Sequence, residues 1–275
     1  MFSDPWGFFI LNPFTNVLLL IYNLIGHNFG LAVILFTILI RAITWPLNAQ
    51  QLKGAKVMQE LQSDKEWLDI QKKYAKDREK LAQEQMRIYQ ERGINPLASC
   101  LPTLIQFPII IGLYQSVTRA LAATPLTLLQ LARSIYPMVI SASALIPLNS
   151  HFLWMDLGRP EGLPFPGGFT ISFLPYGFPT LAIIVALTTY LQTKLTLPPS
   201  SNPNDQAAAM NGMMTIYMPL FLGWLVLNYA SGLAVYFVTS NVLGIIQYSM
   251  MGRVNWRNLL PGGSKPAPSN TKKNK

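Results

Sequence analysis

From Gly30 to Leu47 the chain reads GLAVILFTILIRAITWPL, a run apolar enough to cross a bilayer except that Arg41 stands inside it. A charge in hydrocarbon costs about 2.5–3.5 kcal/mol even on insertion-derived scales, so such a residue faces a bundle interior or a wet cavity and marks a functional path. Two readings of Arg41 stand at this point. Either it snorkels, since Leu47 lies six residues, roughly 9 Å, further along the helix, or it is the charged centre of a site.

Composition extends the membrane constraint to the whole chain. Of 275 residues, 51% are hydrophobic and 12% charged, and several runs approach the roughly 20 apolar residues that a spanning helix needs. The net charge of +9 is unevenly placed. Residues 49–92 hold ten Lys/Arg against eight Asp/Glu, and residues 253–275 hold six basic residues and no acid. Residues 119–172 hold only three basic and two acidic residues, and the first 29 hold Asp4 alone. Basic loops stay cytoplasmic, so the asymmetry reads as topology before it reads as nucleic-acid binding. Cys100 is the single cysteine, and His27 and His151 lie far apart, so no disulfide, metal site or cofactor is expected. No basic stretch precedes the first apolar run and no small-residue cleavage pattern follows it, so no secretory leader is expected.

These patterns predict an all-α integral membrane protein with five transmembrane helices. Residues 1–25, apolar and aromatic but broken by Pro13 and several Asn, read as an external segment lying at the interface, with a spanning helix over 5–25 as the alternative. The first span covers 26–47. Residues 48–94 switch to Glu, Gln, Lys and Ala, with apolar positions at a loose helical period through Val57, Leu61, Leu68, Ile70 and Tyr74, then Leu81, Met86, Ile88 and Tyr89. They read as a cytoplasmic helical hairpin whose second helix starts at an Asp77 cap and stops at Gly93. The second span covers 95–118; its Pro102, Gln106 and Pro108 require protein or a cavity alongside. Residues 119–172 read as an external region of interfacial helices, ending in the aromatic, Gly/Pro-rich loop HFLWMDLGRPEGLPFPGG. The third span covers 173–195, a polar cytoplasmic loop 196–212, the fourth span 213–229 and the fifth 232–251, with Ala230, Ser231 and Gly232 as the turn between the last two. The basic tail 252–275 is expected to be disordered beyond Pro261.

Polar residues recur on the spans at helical spacing. Thr37, Arg41, Thr44 and Asn48 form one stripe, Ser99, Thr103 and Gln106 a second, and Ser240 with Gln247 and the neighbouring Asn241 a third. Three such stripes on three spans suffice to line a water-filled cavity, although ordinary interhelical hydrogen bonds, worth about 0.6 kcal/mol each in membranes, account for any one of them. Met210, Met213, Met214 and Met218 read as packing residues, and the hairpin as a docking or gating element. The basic tail enforces orientation or holds anionic lipid, with ribosomal RNA as the sharper alternative.

Three blocks resemble the YidC family of membrane protein insertases, over about Gly26 to Met251. The first is GLAVILFTILIRAITWPLNAQQLKGAKVMQELQ, with Arg41 at the family's arginine position and Pro46 and Leu47 following. The second is KKYAKDREKLAQEQMRIYQERGINPLASCLPTLIQFPIIIGLY, where Asn95, Pro96, Pro102, Gln106 and Pro108 match. The third is MPLFLGWLVLNYASGLAVYFVTSNVLGIIQY, where Gly232, Leu233, Tyr236, Asn241 and Gln247 match. The family's Pro-Ala-Gly turn is Ala230, Ser231 and Gly232 here, its usual Trp after Tyr236 is Phe237, and the proline of its first hairpin helix is missing around Ser63.

The resemblance implies five helices around a hydrophilic groove open to the cytoplasm and to lipid and closed outside, with Arg41 in it and Thr37, Thr44, Thr103, Gln106, Ser240, Asn241 and Gln247 lining it. It implies a non-enzymatic insertase and chaperone of a bacterial plasma membrane, N-terminus outside and C-terminus inside. A client's hydrophilic tail enters the groove and its apolar segment passes into lipid. The implied partners are nascent membrane proteins and the bilayer, with the ribosome and a Sec-type translocon as further ones. A small-anion transporter built on Arg41 lacks the inverted repeat and broken helices such proteins use, and an assembly scaffold would need no wet groove.

Overall fold

The computed structural model describes residues 5–49, 60–61, 64–74, 77–93, 101–121, 129, 131–132, 134–136, 148–161, 178–196 and 206–251, without the side chains of 78, 101–106 and 206–211. Helix α1 runs unbroken over the 18 residues Gly7–Leu24, opening with a π-helical turn at Gly7–Leu11. Pro13 was expected to break it. The wide first turn, in which the Asn12 N–H donates to the Gly7 carbonyl, places Pro13 at the start of the α-helical part, where a missing N–H costs little. The asparagines are absorbed as well: Asn16 donates to the carbonyls of Asn12 and Ser134, both at 2.8 Å.

Helix α2 spans Phe29–Ile43, shorter than the expected 26–47, because Gly26 and His27 take positive φ and the Asn28 side chain caps the helix by accepting from the Leu31 N–H. Among the described residues, α1 and the last helix, Ser231–Met250, are long and apolar enough to cross a membrane, while Phe29–Ile43 and Gly212–Asn228 are shorter apolar helices.

The hairpin consists of α3, Lys65–Lys73, and α4, Arg78–Glu91, capped by Asp64 and Asp77 as short polar side chains cap helices elsewhere. Gly93 follows α4 with φ +62°, a conformation that only glycine adopts without strain. Its small core is Leu61, Trp67 and Ile88, with Ile70 and Tyr89 against it. Trp67 was absent from the periodic apolar set, whereas Met86, which was in it, is 48% exposed. Ion pairs close the hairpin's open end, where Arg92 reaches Asp64 at 2.6 Å and Glu66 at 3.2 Å, while Arg87 pairs within α4 with Glu84 at 2.8 Å and Glu91 at 2.6 Å. The Arg92 hydrogen bond, helped by the Glu66 N–H, holds the Asp64 carboxyl below its usual range. A depressed folded value stabilises above the unfolded pKa of about 3.9 and is lost as pH falls through the folded one. Amide exchange at Glu66 in the full chain is therefore expected to be flat from pH 7 to about 4 after correction for intrinsic rates, and to rise below that. An Arg92→Met variant should lose most of this dependence. The pair is exposed, so the effect is small and fades with salt.

Helix α5 spans Leu101–Ala120 and keeps Pro108 in its interior. The aromatic loop expected after it contains a β-hairpin, β1 His151–Phe152 paired with β2 Met155–Asp156. Its turn carries Leu153 at φ +55° rather than Gly or Asn, so no turn signal marks it. Helix α6, Thr180–Thr196, starts after Pro179, later than the expected 173. Helix α7, Gln206–Asn228, begins seven residues before the expected 213, because the Ala-rich end of the supposed polar loop favours helix. The break before α8, Ser231–Met250, falls at Tyr229 and Ala230, so Ser231 and Gly232 are already helical.

Helix α8 packs on α2 and α6, α7 packs on α6, and α1 packs on α2 and α5. The β-hairpin closes one end. The Phe152 ring occupies the space that a Cβ on Gly30 would need, and Leu157 lies over Gly232, whose N–H donates to the Leu157 carbonyl at 3.0 Å. Ser231 donates from N–H and hydroxyl to the Arg159 carbonyl at 2.7 and 2.8 Å, and Glu161 accepts from the Leu181 N–H at 2.6 Å, so the first turns of α8 and α6 are both capped there. Large apolar side chains face outward at helical spacing: Leu31, Leu35 and Ile38 on α2, Ile183, Leu187 and Leu191 on α6, Leu220 and Trp224 on α7, Val242 and Ile246 on α8. Such a surface suits hydrocarbon rather than water.

Candidate functional site

Helices α2, α6 and α8 all begin at the β-hairpin end and run side by side. Their later turns carry the polar residues. Arg41 lies eleven residues past Gly30, about 16 Å along α2. Its guanidinium turns sideways to α8 instead of reaching toward Leu47. Nε donates to Ser240 Oγ at 3.1 Å, and Nη2 donates to the same oxygen at 2.6 Å and to the Ser240 carbonyl at 2.8 Å. All these acceptors are neutral. Among the described residues Arg41 has no carboxylate partner.

Further residues of α8 and α6 complete the layer. A Cβ on Gly244 would collide with the Gln192 side chain and stand 3.6 Å from Arg41 Nη2, so the missing side chain lets Gln192 and Arg41 meet over the same spot of α8. Asn241 donates to Thr188 Oγ1 at 3.1 Å and Thr189 Oγ1 at 2.9 Å, joining α8 to α6. Gln247 is 3% exposed, and its Nε2 has no hydrogen-bond partner among the described residues. A buried amide of this kind signals room for a water or a ligand group.

The first stripe is only partly a shared surface. Thr37, fully buried, donates to the Val33 carbonyl at 2.7 Å, and Thr44 donates to the carbonyls of Ile40 at 2.9 Å and Arg41 at 3.4 Å. Threonine back-bonds of this kind satisfy the hydroxyl within its own helix. Among the described residues neither forms a hydrogen bond to another helix. The side chains of Thr103 and Gln106, and Ser99 with them, lie outside those described. Sequence reasoning missed Thr188, Thr189 and Gln192. Their signal was present as spacings of three and four on the third expected span, where no stripe was sought.

Chemically, the layer pairs one cation with neutral amides and hydroxyls. Guanidinium presents a rigid fork that prefers a carboxylate to a serine hydroxyl, so the Ser240 bonds are exchangeable for an anionic group. Among the described residues no group of three or more His, Cys, Asp or Glu could hold a metal ion.

A family model described as 60Kd inner membrane protein matches residues 20–257. Membrane protein insertase YidC 2 of Bacillus anthracis is 30% identical over 264 residues, covering 94% of this chain and 86% of the relative. Membrane protein insertase MisCA of Bacillus subtilis is 32% identical over 247 residues, 88% of this chain and 77% of the relative. Membrane protein insertase YidC of Nitratidesulfovibrio vulgaris strain DP4 is 34% identical over 242 residues, which is 88% of this chain but 38% of that longer protein. All three relatives carry insertase names, and neither the transporter nor the scaffold reading gains support from them.

Proposed function

This chain belongs to the 60Kd inner membrane protein family and is a membrane protein insertase of the YidC kind, and on that footing we propose that its insertion site is the polar layer around Arg41. In this reading five spans, built on α2, α5, α6, α7 and α8, surround a groove that opens toward the hairpin side and is closed by the β-hairpin. Arg41, Ser240, Asn241, Gln247 and Gln192 line it, with Thr37, Thr44, Thr103 and Gln106 on its walls. The N-terminus lies outside a bacterial plasma membrane, and the hairpin and basic tail lie in the cytoplasm beside the ribosome and a Sec-type translocon. A nascent client's hydrophilic tail enters the groove, and an acidic group on it replaces Ser240 at the guanidinium. The apolar segment then leaves into lipid, driven by about 0.8 kcal/mol per buried CH2.

The observation that carries this reading is the Arg41 guanidinium turned inward onto neutral acceptors rather than toward the membrane surface. In a Cys100→Ala background, single cysteines at Thr44, Gln106 and Gln192 are expected to react with a membrane-impermeant maleimide from the cytoplasmic side, while one at outward-facing Leu187 stays unreactive. Unreactive cysteines at all three groove positions would remove the wet groove.

A further inference from the structure

Arg119 closes α5 with a half-buried guanidinium whose partners among the described residues are weak and neutral. Nη1 donates to Asn12 Oδ1 at 3.4 Å and to Ser134 Oγ at 3.2 Å. A guanidinium carries five N–H donors, and the remaining ones have no partner among the described residues. The described carboxylates at this end of the bundle are occupied elsewhere: Asp156 by Arg159 and the Gly158 N–H, Glu161 by Trp154 and the Leu181 N–H. The C-terminus of α5 favours a cation here without neutralising it. Among the described residues, then, no carboxylate meets this arginine of the acid-poor, sparsely charged 119–172 side.

The surroundings suit one kind of anion. Arg119 sits where the apolar length of α5 ends and meets Ser134, on a segment whose Leu129 and Tyr136 are exposed, at the end of the bundle that also exposes Leu153 and Trp154. Aromatic and aliphatic side chains beside a cation at a helix end mark the headgroup level of a bilayer. The Asn12 amide nitrogen, next to the guanidinium, adds an unpartnered donor among the described residues. We propose that Arg119 and Asn12 bind the phosphodiester of a phospholipid headgroup, tying α1, α5 and the 134–136 segment to the membrane surface. The guanidinium fork matches two phosphate oxygens, and the lipid chains lie along the exposed apolar side chains beside it. The site is separate from the Arg41 layer and independent of how clients are inserted.

The test is a native mass-spectrometry titration of the detergent-solubilised full chain with dihexanoyl phosphatidylglycerol, with dihexanoylglycerol and inorganic phosphate as separate arms. Wild type should retain phosphatidylglycerol more tightly than either control. Arg119→Gln should weaken it at least about tenfold, the factor expected for one charge-assisted hydrogen bond of roughly 1.4 kcal/mol or more. Asn12→Asp, which places a carboxylate against the guanidinium, should lose the lipid to a similar extent while the melting temperature holds or rises. That variant decides the matter if Arg119→Gln does not fold. Equal lipid retention by wild type and Asn12→Asp overturns the proposal. Inorganic phosphate bound as tightly as the lipid and lost in the same variants overturns the lipid assignment in favour of a soluble anion.

Discussion

An Arg41→Ala insertase is expected to insert clients with an acidic translocated tail at least about tenfold more slowly, and clients with an uncharged tail within about twofold of wild type, because hydrogen bonds to charged groups contribute about 1.5–3 kcal/mol and each 1.4 kcal/mol is a factor of ten. The variant also removes a charge from a membrane-embedded layer in which no carboxylate balances it among the described residues. Its thermal stability should accordingly be unchanged or higher, since a charge in hydrocarbon is a cost the fold no longer bears. Arg41→Lys should fall between, because an ammonium is a point charge without the planar fork that spans two oxygens. Protease protection of clients added to reconstituted proteoliposomes measures the effect. Equal losses for acidic and neutral tails would leave Arg41 a structural role only. A lowered melting temperature in Arg41→Ala would point the same way, to the Ser240 contact as a brace between α2 and α8.

Trp67→Ala is the second large effect, and it should be confined to the hairpin. Trp67 is 1% exposed and lies 5.4 Å, centroid to centroid, from the Tyr89 ring in a core whose only other fully buried apolar members among the described residues are Leu61 and Ile88. Truncating a buried tryptophan costs about 3–5 kcal/mol, which exceeds what the exposed ion pairs of Arg87 and Arg92 return, a fraction of a kcal/mol each. Residues 64–93 should therefore lose amide protection while α2, α6 and α8 keep theirs, because the hairpin core and the bundle core share no residue. Trp67→Phe should be mild. The indole N–H has no hydrogen-bond partner among the described residues, so its removal abandons no bond there. Loss of protection in the bundle as well as in the hairpin would show the two cores to be one folding unit.

The legible part of this protein was the part governed by local pattern. Apolar runs of near-membrane length located the helices, and Asp77 and Gly93 located the ends of the second hairpin helix, because a cap and a left-handed stop act within a few residues. Arg41 was legible as an anomaly for the same reason. Element boundaries were harder. Phe29 rather than Gly26 begins α2 because two positive-φ residues and an asparagine cap intervene, and Gln206 begins α7 inside a stretch whose polarity concealed its helix propensity. The β-hairpin was illegible, since Leu153 takes the turn conformation without a glycine or asparagine to announce it.

Which polar residues face one another is a different kind of fact. Spacing placed Thr37, Arg41 and Thr44 on one helix face equally well, yet the two threonines donate to their own helix and only the arginine reaches across. A hydroxyl can satisfy itself on the carbonyl one turn back, whereas a guanidinium cannot, so the longer side chain seeks a partner on another element. That partner, Ser240, is 199 residues away, and the Gly244 that makes space beside it is invisible to any pattern of polarity. The sequence by itself thus determined that the chain is a bundle of membrane helices with a charge it has to account for, because hydrophobicity and helical period are local properties. Only the tertiary structure decided that the charge lies between α2 and α8 with Gln192 over it, because the facing of side chains across helices depends on crossing geometry and on the volume that one glycine leaves empty.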